Sequence, residues 1–218
     1  MPGQDLLLKN GAKSIDMSQA YKGEEVSTLL KFTPNIQKII ETLLWIVGKR
    51  PGIDLYHVMK IMFAADCYHL SMYGRPITGD FYVAVKHGAM PSITKDIIDE
   101  DPWTISEYGI NESIITRKGH SLYPVRGYNR LKFSKSDIEA LEFGFSEYAN
   151  LSTFWEVREK NHKHIAWRKA AERQGYDMSK ETKFTELHQI VDFADMIDDP
   201  QMLADLKELG ECTGRMVV

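Results

Sequence analysis

Residues 60–92 read KIMFAADCYHLSMYGRPITGDFYVAVKHGAMPS, and the spacing of apolar residues changes partway through this stretch. Before Gly74, apolar residues cover most of the circumference of a helix for which Asp54 is a suitable N-cap. A helix that is apolar on nearly all sides is buried, so we predict that it is the central helix of the fold. Beyond it, the β-branched and aromatic residues of 80–86 predict a short strand, and a short helix is predicted at 93–98.

The rest of the chain adds more helices than strands. Capping residues and apolar residues at helical spacing predict helices that begin at Thr33, Ser134 and Thr153, a further segment at 165–174, and two more at 187–197 and 199–209. Strands at 114–117 and 121–125 flank Lys118-Gly119, a suitable hairpin turn. Together these elements predict an α+β fold that is mainly α-helical, with a small antiparallel β-sheet or hairpin.

Composition divides the chain into three parts. Residues 1–30 are polar and irregular, and we predict a flexible N-terminal arm there. Residues 31–175 form the predicted main domain. Residues 176–218 are predicted to be an acidic C-terminal helical appendage packed on the same domain, because 184–211 holds eight acidic residues and one basic residue, a net charge of −7.

The whole chain has the composition of an ordinary globular protein. Of its 218 residues, 43% are hydrophobic and 27% are charged, and the net charge is −4, which excludes a largely disordered chain. The longest apolar runs have five residues, whereas a membrane-spanning helix needs about 20. Two cysteines, Cys67 and Cys212, are the number expected in a reducing compartment. We therefore expect a cytoplasmic protein with no membrane partner.

No residue pattern typical of catalysis is present. The sequence has no GxSxG or HExxH pattern, and Cys67 lies in an apolar run where a thiol is usually inert. We therefore assign no catalytic, cofactor-binding or metal-binding residues, and we expect the protein not to be an enzyme. An alternative is a metal-dependent hydrolase, in which Asp66, His69, His162 and His164 would supply nitrogen and oxygen ligands.

A basic stripe at residues 117–135 spans the predicted hairpin and the loop after it. It holds six basic residues and no acidic one, interleaved with Tyr123, Tyr128 and Phe133. Cations beside exposed aromatic rings suit nucleic acid, so a nucleic-acid-binding regulator is a second alternative. The simpler interpretation is that the stripe faces the acidic C-terminal helices, with the rings packed beneath them. The negative net charge favours this interpretation, and we expect nucleic acid not to be a partner.

Several short patterns of this sequence are similar to those of one family. They are the helix segment Lys60-Ile-Met-Phe-Ala-Ala-Asp66, the loop Gly74-Arg-Pro-Ile-Thr-Gly-Asp80, the strand Val83-Ala-Val-Lys-His-Gly-Ala-Met-Pro91, and His164-Ile-Ala-Trp167. Together, over about residues 54–170, they resemble the Panacea domain, the SocA-like antitoxin family. One departure is that Ala89 and Met90 stand where the family usually has Pro-Val, so the bend after Gly88 would be looser.

This resemblance implies a non-catalytic antitoxin that neutralises a cognate protein toxin by direct binding, with the toxin encoded by the adjacent gene. It also implies a source in bacteria, phages or prophages. One member of the family acts instead as an adaptor that delivers its toxin to a protease, which is a third alternative. Some members carry an additional DNA-binding domain, for which the N-terminal arm is too short. A homo-oligomer is compatible with this interpretation.

The surface around the loop and the strand is the expected toxin-binding site. Charge attracts a partner, and apolar side chains near the centre of an interface supply most of the affinity. The toxin-binding candidates are Tyr73, Arg75, Tyr82, His87, Met90 and Trp103. Aromatic residues and methionines also fill protein cores, so burial of Tyr82 and Met90 is an alternative.

Overall fold

The computed structural model describes residues 30–176, 187–213 and 216–217 of the chain. These residues form an α+β fold that is mainly α-helical with small antiparallel sheets, as the sequence predicts. The predicted arm of residues 1–30 lies outside the described residues except for Leu30, which is buried. The division of the chain into arm, domain and appendage therefore stays a prediction. None of the described helices combines the length and the apolar character needed to cross a lipid bilayer.

The elements are numbered along the chain. The α-helices are α1 (Ile36–Lys49), α2 (Leu55–Tyr73), α3 (Ser92–Ile98), α4 (Pro102–Glu107), α5 (Lys135–Tyr148), α6 (Phe154–His162), α7 (Ile165–Arg173) and α8 (Pro200–Thr213). The strands are β1 (Phe32–Thr33), β2 (Tyr82–Val85), β3 (Gly88–Pro91), β4 (Ile115–Lys118), β5 (Ser121–Pro124), β6 (His188–Ile190) and β7 (Met216–Val217). Short 3-10 helices lie at Arg130–Lys132 and Phe193–Met196.

Helix α2 is the buried centre of the molecule, as predicted. It begins where the Asp54 carboxylate accepts a hydrogen bond from the His57 N–H at 2.9 Å, the usual contact of an N-cap. It ends at Gly74, whose φ of +71° lies in the left-handed region that glycine enters without strain. Val58 belongs to one apolar cluster and Phe63 to another, so α2 lies between the two parts of the core.

Helix α5 packs against α2 at very short distance because residue 144 is a glycine. A capping box formed by Ser134 and Asp137 starts α5, as the sequence predicts. A Cβ atom on Gly144 would lie 2.5 Å from the Ile61 carbonyl oxygen and 3.0 Å from the Ala65 nitrogen. The backbones of the two helices are therefore nearly in contact at this point, and a side chain has no room.

Helix α1 begins at a different residue from the predicted one. Its N-cap is Asn35, whose side chain accepts a hydrogen bond from the Lys38 N–H at 3.1 Å. Thr33 instead lies in β1, where it pairs with Val217 of β7. The prediction of Thr33 as N-cap was therefore wrong, because the asparagine two residues later is at least as good a cap and leaves Thr33 free for the strand.

A three-stranded antiparallel sheet has the order β3-β2-β6. Strands β2 and β3 form a tight hairpin in which Val85 lies opposite Gly88. Strand β6 pairs with the other edge of β2, with Ile190 opposite Val83. The predicted strand β2 is confirmed, and residues 88–91, for which no strand was predicted, form a second strand.

The segment 187–197 was predicted to be a helix, and this prediction was wrong. It forms β6 and the 3-10 helix that follows. Helices and strands both place residues four apart on one side, so Leu187 and Val191 fit either structure. The open edge of β2 decides between them, because the Val191 N–H donates to the Tyr82 carbonyl at 2.9 Å and continues the ladder. Asp192 then caps the 3-10 helix.

The other predicted elements are present, but β1, β7, the 3-10 helix at Arg130–Lys132 and one α-helix were not predicted. The β4–β5 hairpin, the capped start of α6 and the final helix α8 are all present. Helix α4 was not predicted, because its surroundings have the acidic composition of a loop. Asp101 caps it by accepting a hydrogen bond from the Thr104 N–H at 2.9 Å, and Pro102 occupies its first turn.

Replacing Gly144 by alanine should destabilise the protein by about 1–3 kcal/mol, because the new methyl group must push α5 away from α2. The matched control is Gly48→Ala in α1, where no atom lies within 4 Å of the new Cβ. That variant should be stabilised by about 0.5–1 kcal/mol, the ordinary gain of alanine over glycine in a helix. Urea denaturation measures both free energies of unfolding. Equal stabilisation by the two substitutions would show that the helices are not packed this closely.

Candidate functional site

The carboxylate of Asp66 is buried at the centre of residues 60–92. It is 1% exposed and accepts hydrogen bonds from the Ile77 N–H at 2.8 Å, the Thr78 N–H at 3.1 Å and the Tyr82 hydroxyl at 2.9 Å. The Thr78 hydroxyl donates to it as well. Burial raises the pKa of Asp66, and the hydrogen bonds from Thr78 and Tyr82 oppose that rise. Asp66 thereby ties α2 to the following loop and to β2.

A second buried carboxylate, that of Asp80, holds the start of α3. It accepts hydrogen bonds from the N–H groups of Ile93 and Thr94, both at 2.9 Å, and from the Thr94 hydroxyl at 2.6 Å. Burial raises the pKa of Asp80 to about 7, although the hydrogen bonds from Thr94 oppose the rise. The carboxylate is fully buried, so its role is to position a helix end.

The side chain of Lys60, in the same region, is also fully buried. Its Nζ donates to the Ala89 carbonyl at 2.5 Å and lies 4.8 Å from the centre of the Tyr56 ring. The Asn161 side-chain oxygen accepts a hydrogen bond from the Ala89 N–H at 2.7 Å. The carbonyl and the N–H of Ala89 are therefore both hydrogen-bonded to side chains. Gly88 precedes it with a φ of +105°, and a Cβ there would lie 2.9 Å from Lys60 Cε. Strand β3 is thereby fixed against α2 and α6.

The turn between β2 and β3 is held by a pair of stacked rings. His162 and Trp167 lie parallel, with ring centres 3.8 Å apart. The His162 Nε2 donates to the Lys86 carbonyl at 3.1 Å, and the Trp167 Nε1 donates to the Val85 carbonyl at 3.1 Å. Burial, together with the positive charges of Arg158 and Lys60, lowers the pKa of His162 to about 3, so this imidazole is neutral.

The four proposed metal ligands do not come together. Asp66 and His162 are engaged as described above, in separate hydrogen-bond groups. The His69 Nδ1 donates to the Arg75 carbonyl at 2.7 Å, and the His164 Nδ1 accepts from an N–H two residues later. Within the described ranges, no three His, Cys, Asp or Glu side chains are grouped as metal ligands. The geometry therefore gives no support to the hydrolase that was built on these four residues.

A third buried carboxylate, that of Asp137 at the start of α5, is the centre of another polar group. It accepts hydrogen bonds from the Lys38 Nζ and an Arg75 Nη, both at 3.0 Å, and from the Ser134 N–H at 2.9 Å. Burial disfavours its charged form, but hydrogen bonds from His69, Ser134 and Lys38 outweigh burial and lower the pKa of Asp137. This group joins three elements, which are helix α1, the loop that follows α2, and helix α5.

The predicted toxin-binding residues fall into four places. Tyr73 is 43% exposed and donates to a Glu139 carboxylate oxygen at 2.9 Å, and Arg75 is bound to α5 as just described. Trp103, 55% exposed, lies on α4. The fourth residue, Tyr82, is 1% exposed with its hydroxyl on Asp66, so it is a core residue, as its alternative interpretation held.

His87 and Met90 are half-buried in the β2–β3 hairpin. The His87 ring packs edge-on against Phe154, with centres 5.1 Å apart. Burial and the positive charges of Arg158, Lys86 and Lys60 lower the pKa of His87 to about 4. Among the described residues, no hydrogen bond, ion pair or ring contact links His87 or Met90 to Tyr73 or Trp103.

One group of side chains on the surface was missed by the sequence analysis except for Tyr73. We call it the aromatic face; its members are Tyr68, Met72, Tyr73, Glu139 and Phe143. The Tyr68 ring stacks on Phe143 with centres 4.4 Å apart, and its hydroxyl donates to Glu139 at 2.8 Å. Met72 is 56% exposed and Phe143 39%. The sequence signal for this face is the spacing of four between Glu139 and Phe143 and between Tyr68 and Met72, which places each pair on the same side of its helix.

The acidic partners of the basic stripe differ from the expected ones. Arg126 binds Glu41 at 2.9 Å and Glu112 at 3.2 Å, and Arg117 binds Asp99 at 3.0 Å. In the part of the chain that the structure describes, no ion pair joins the stripe to residues 187–213. The interpretation that the stripe faces the acidic C-terminal helices was therefore wrong, because acids within 41–112 lie closer in the fold.

The burial of Lys60 predicts a pH dependence of stability. Its pKa in the folded protein is lowered to about 7, against 10.5 for the free side chain, because burial disfavours the charged form. Between these two values the unfolded chain holds a proton that the folded chain has lost, so the free energy of unfolding rises with pH. Urea denaturation measures the free energy of unfolding of the wild type and of Lys60→Met at several pH values. As the pH rises through this range, the free energy of unfolding of the wild type should increase relative to that of the variant. A stability difference that is constant with pH would show that Lys60 keeps its ordinary pKa.

A family model described as "Antitoxin SocA-like, Panacea domain" matches residues 58–168, just over half of the chain. The matched range contains the buried groups of Lys60, Asp66, Asp80, Asn161 and His162. Neither the curated proteins nor the solved structures include a significant match. The family description supports an antitoxin-type role, which in turn implies a toxin as partner. The chain belongs to the family of SocA-like antitoxins with a Panacea domain.

Proposed function

We propose that this protein neutralises a cognate toxin by binding it directly, and that the aromatic face is part of the contact surface. The observation that carries the proposal is the contrast between the interior and this face. Four ionisable side chains of residues 60–92, those of Lys60, Asp66, His69 and Asp80, are buried and hydrogen-bonded to the backbone. The aromatic face, by contrast, presents apolar and aromatic groups to solvent.

The composition of the aromatic face suits a protein partner. Tyrosine, phenylalanine and methionine are enriched at the centres of protein interfaces, where they supply large apolar area. Isolated exposed apolar residues need no explanation, but Tyr68, Tyr73 and Phe143 are joined through Glu139 and through ring stacking. A connected apolar patch on a protein surface is typical of an interaction site.

The aromatic face is also rigid before any partner binds. A single carboxylate, that of Glu139, accepts hydrogen bonds from both tyrosine hydroxyls, and these bonds lower its pKa. Both tyrosines extend from α2, which is the most buried helix of the fold. Side chains that are already ordered lose less conformational entropy when a partner binds. This arrangement therefore favours tight binding over an adaptable, weak contact.

The predicted contact residues relate to this surface in different ways. Tyr73 belongs to the aromatic face, whereas Arg75, two residues later in the chain, is bound to the buried Asp137 at the start of α5. His87, Met90 and Trp103 remain candidates for a second part of the contact. The adaptor role also needs a toxin-binding surface, and it differs in the fate of the toxin after binding.

Co-expression with the product of the adjacent gene tests the proposal. The wild type should restore growth of cells that make this candidate toxin, and the two proteins should elute together in size exclusion. Phe143→Ser should weaken the complex roughly tenfold or more, because a central aromatic contact is lost. Failure of the wild type to restore growth, with no complex formed, would contradict the proposed function.

A matched control distinguishes the aromatic face from exposed aromatic residues in general. Trp155 is 63% exposed on α6 and does not belong to the aromatic face. Trp155→Ser should therefore bind the toxin as the wild type does. Equal weakening by both substitutions would place the contact elsewhere. Immunoblotting of the toxin separates the two roles, because an adaptor lowers the amount of toxin and a neutralising complex preserves it.

A further inference from the structure

A leucine stands almost fully in solvent at the tip of the loop between β5 and α5. Leu131 is 92% exposed, more than any other large apolar side chain in the described residues. It is the middle residue of the 3-10 helix Arg130–Lys132. We call residues 125–135 the leucine loop. Val125, 52% exposed, and Tyr128, 39% exposed, lie on the same loop.

The leucine loop is held rigidly on the protein. The buried Glu41 carboxylate accepts two hydrogen bonds from the Arg126 guanidinium, at 2.9 and 3.3 Å, and one from the Asn129 N–H at 2.5 Å. The Asn129 side-chain oxygen accepts from the Leu131 N–H at 3.0 Å. On the other side of the tip, Phe133 is buried. These hydrogen bonds and the burial of Phe133 therefore fix the loop in a position in which Leu131 is exposed.

Three cations around this leucine have no acidic partner among the described residues. Arg117 and Arg126 of the basic stripe bind acids of the domain, but within the same described ranges the charges near the tip do not. Arg130 donates to the Phe133 carbonyl at 2.7 Å, and Lys132 donates to the Gln37 amide at 2.7 Å. No ion pair within the described residues involves these two or Lys135. The tip therefore combines one apolar anchor with unneutralised positive charge.

The leucine loop runs directly into the aromatic face. Helix α5 begins at Lys135, and Lys135, Glu139 and Phe143 are all exposed. Residues four apart lie on the same side of a helix, so these three form one line along α5. With a rise of 1.5 Å per residue, the line is about 12 Å long. A partner that covers the aromatic face can therefore reach the loop.

We propose that Leu131 is an anchor that enters an apolar pocket of the toxin, and that carboxylates at the rim of this pocket face Arg130, Lys132 and Lys135. The inference rests on the proposed function and names the chemistry of the toxin surface. A rigid apolar side chain that fills a pocket is typical of the residues that dominate the affinity of an interface. The surrounding cations require acidic groups as their complement, and they accelerate the encounter with an acidic surface.

A protein partner explains the tip better than nucleic acid does. Contacts to single strands combine cations with aromatic rings on which bases stack. The most exposed group here is aliphatic, and Phe133, one of the rings of the stripe, is buried. A leucine gains from burial in an apolar pocket and offers no stacking surface to a base.

Calorimetry of the purified protein with the product of the adjacent gene tests the anchor. Leu131→Ser should raise the dissociation constant roughly tenfold or more, since an anchor residue is lost. Ile165→Ser is the matched control, because Ile165 is an aliphatic residue that is 43% exposed on α7. It should bind as the wild type does.

A charge reversal tests the acidic rim without harming the fold. Lys135 is the first residue of α5, where an acidic side chain interacts favourably with the helix dipole, so Lys135→Glu should unfold no more easily than the wild type. Its complex should be weaker at low salt, and its affinity should fall less steeply with added salt than that of the wild type.

The outcomes separate the two proposals. If the wild type binds and Leu131→Ser binds equally well, the anchor is wrong and the proposed function stands. If the wild type binds no toxin and restores no growth, both are overturned. A wild-type dimer that Leu131→Ser converts to monomers would assign the tip to a second copy of the chain and overturn the anchor. A DNA gel shift that Lys135→Glu abolishes, with toxin binding unchanged, would overturn the acidic rim.

Discussion

The buried carboxylate of Asp66 connects the elements on which the rest of the fold is built. It lies on α2, and its hydrogen-bond donors belong to the loop before β2 and to β2 itself. A buried carboxylate that lacks its donors is strongly destabilising, so the loop and the strand have one favourable position relative to the helix. Lys60 extends this constraint to β3, and Asp80 extends it to the start of α3.

The residues that hold the interior together and the residues that suit a partner are therefore different. Lys60, Asp66 and Asp80 face inward and define a scaffold, whereas the aromatic face and the leucine loop lie on its surface. The aromatic face joins this scaffold through helices α2 and α5, and the leucine loop is held by Glu41 of α1. Because interior hydrogen bonds do not involve the exposed side chains of Phe143 or Leu131, the surface can be altered with little effect on the scaffold. Partner specificity and stability are in this sense separable.

The sequence predicts those parts of the fold whose ends are marked by caps or glycines. Helix α2 was predicted because Asp54 and Gly74 bound a segment that is apolar on nearly all sides. The structure of segment 187–197 was not predicted correctly, because its apolar spacing fits a helix and a strand equally well. The open edge of β2 decides between them, and this edge exists only in the folded chain. Local propensity cannot register a partner strand that lies far away in sequence.

The candidate site was predictable only in part, for a related reason. The pattern of residues 60–92 locates the exposed Tyr73, but it cannot show that the Tyr82 hydroxyl turns inward to Asp66. The aromatic face depends on how closely α5 approaches α2, and that distance is set by Gly144.

The sheet has a consequence for synthesis: β6 leaves the ribosome long after β2, so the edge of β2 stays uncovered in the nascent chain. A polypeptide whose translation stops before residue 188 would expose that edge to neighbouring nascent chains and aggregate with them.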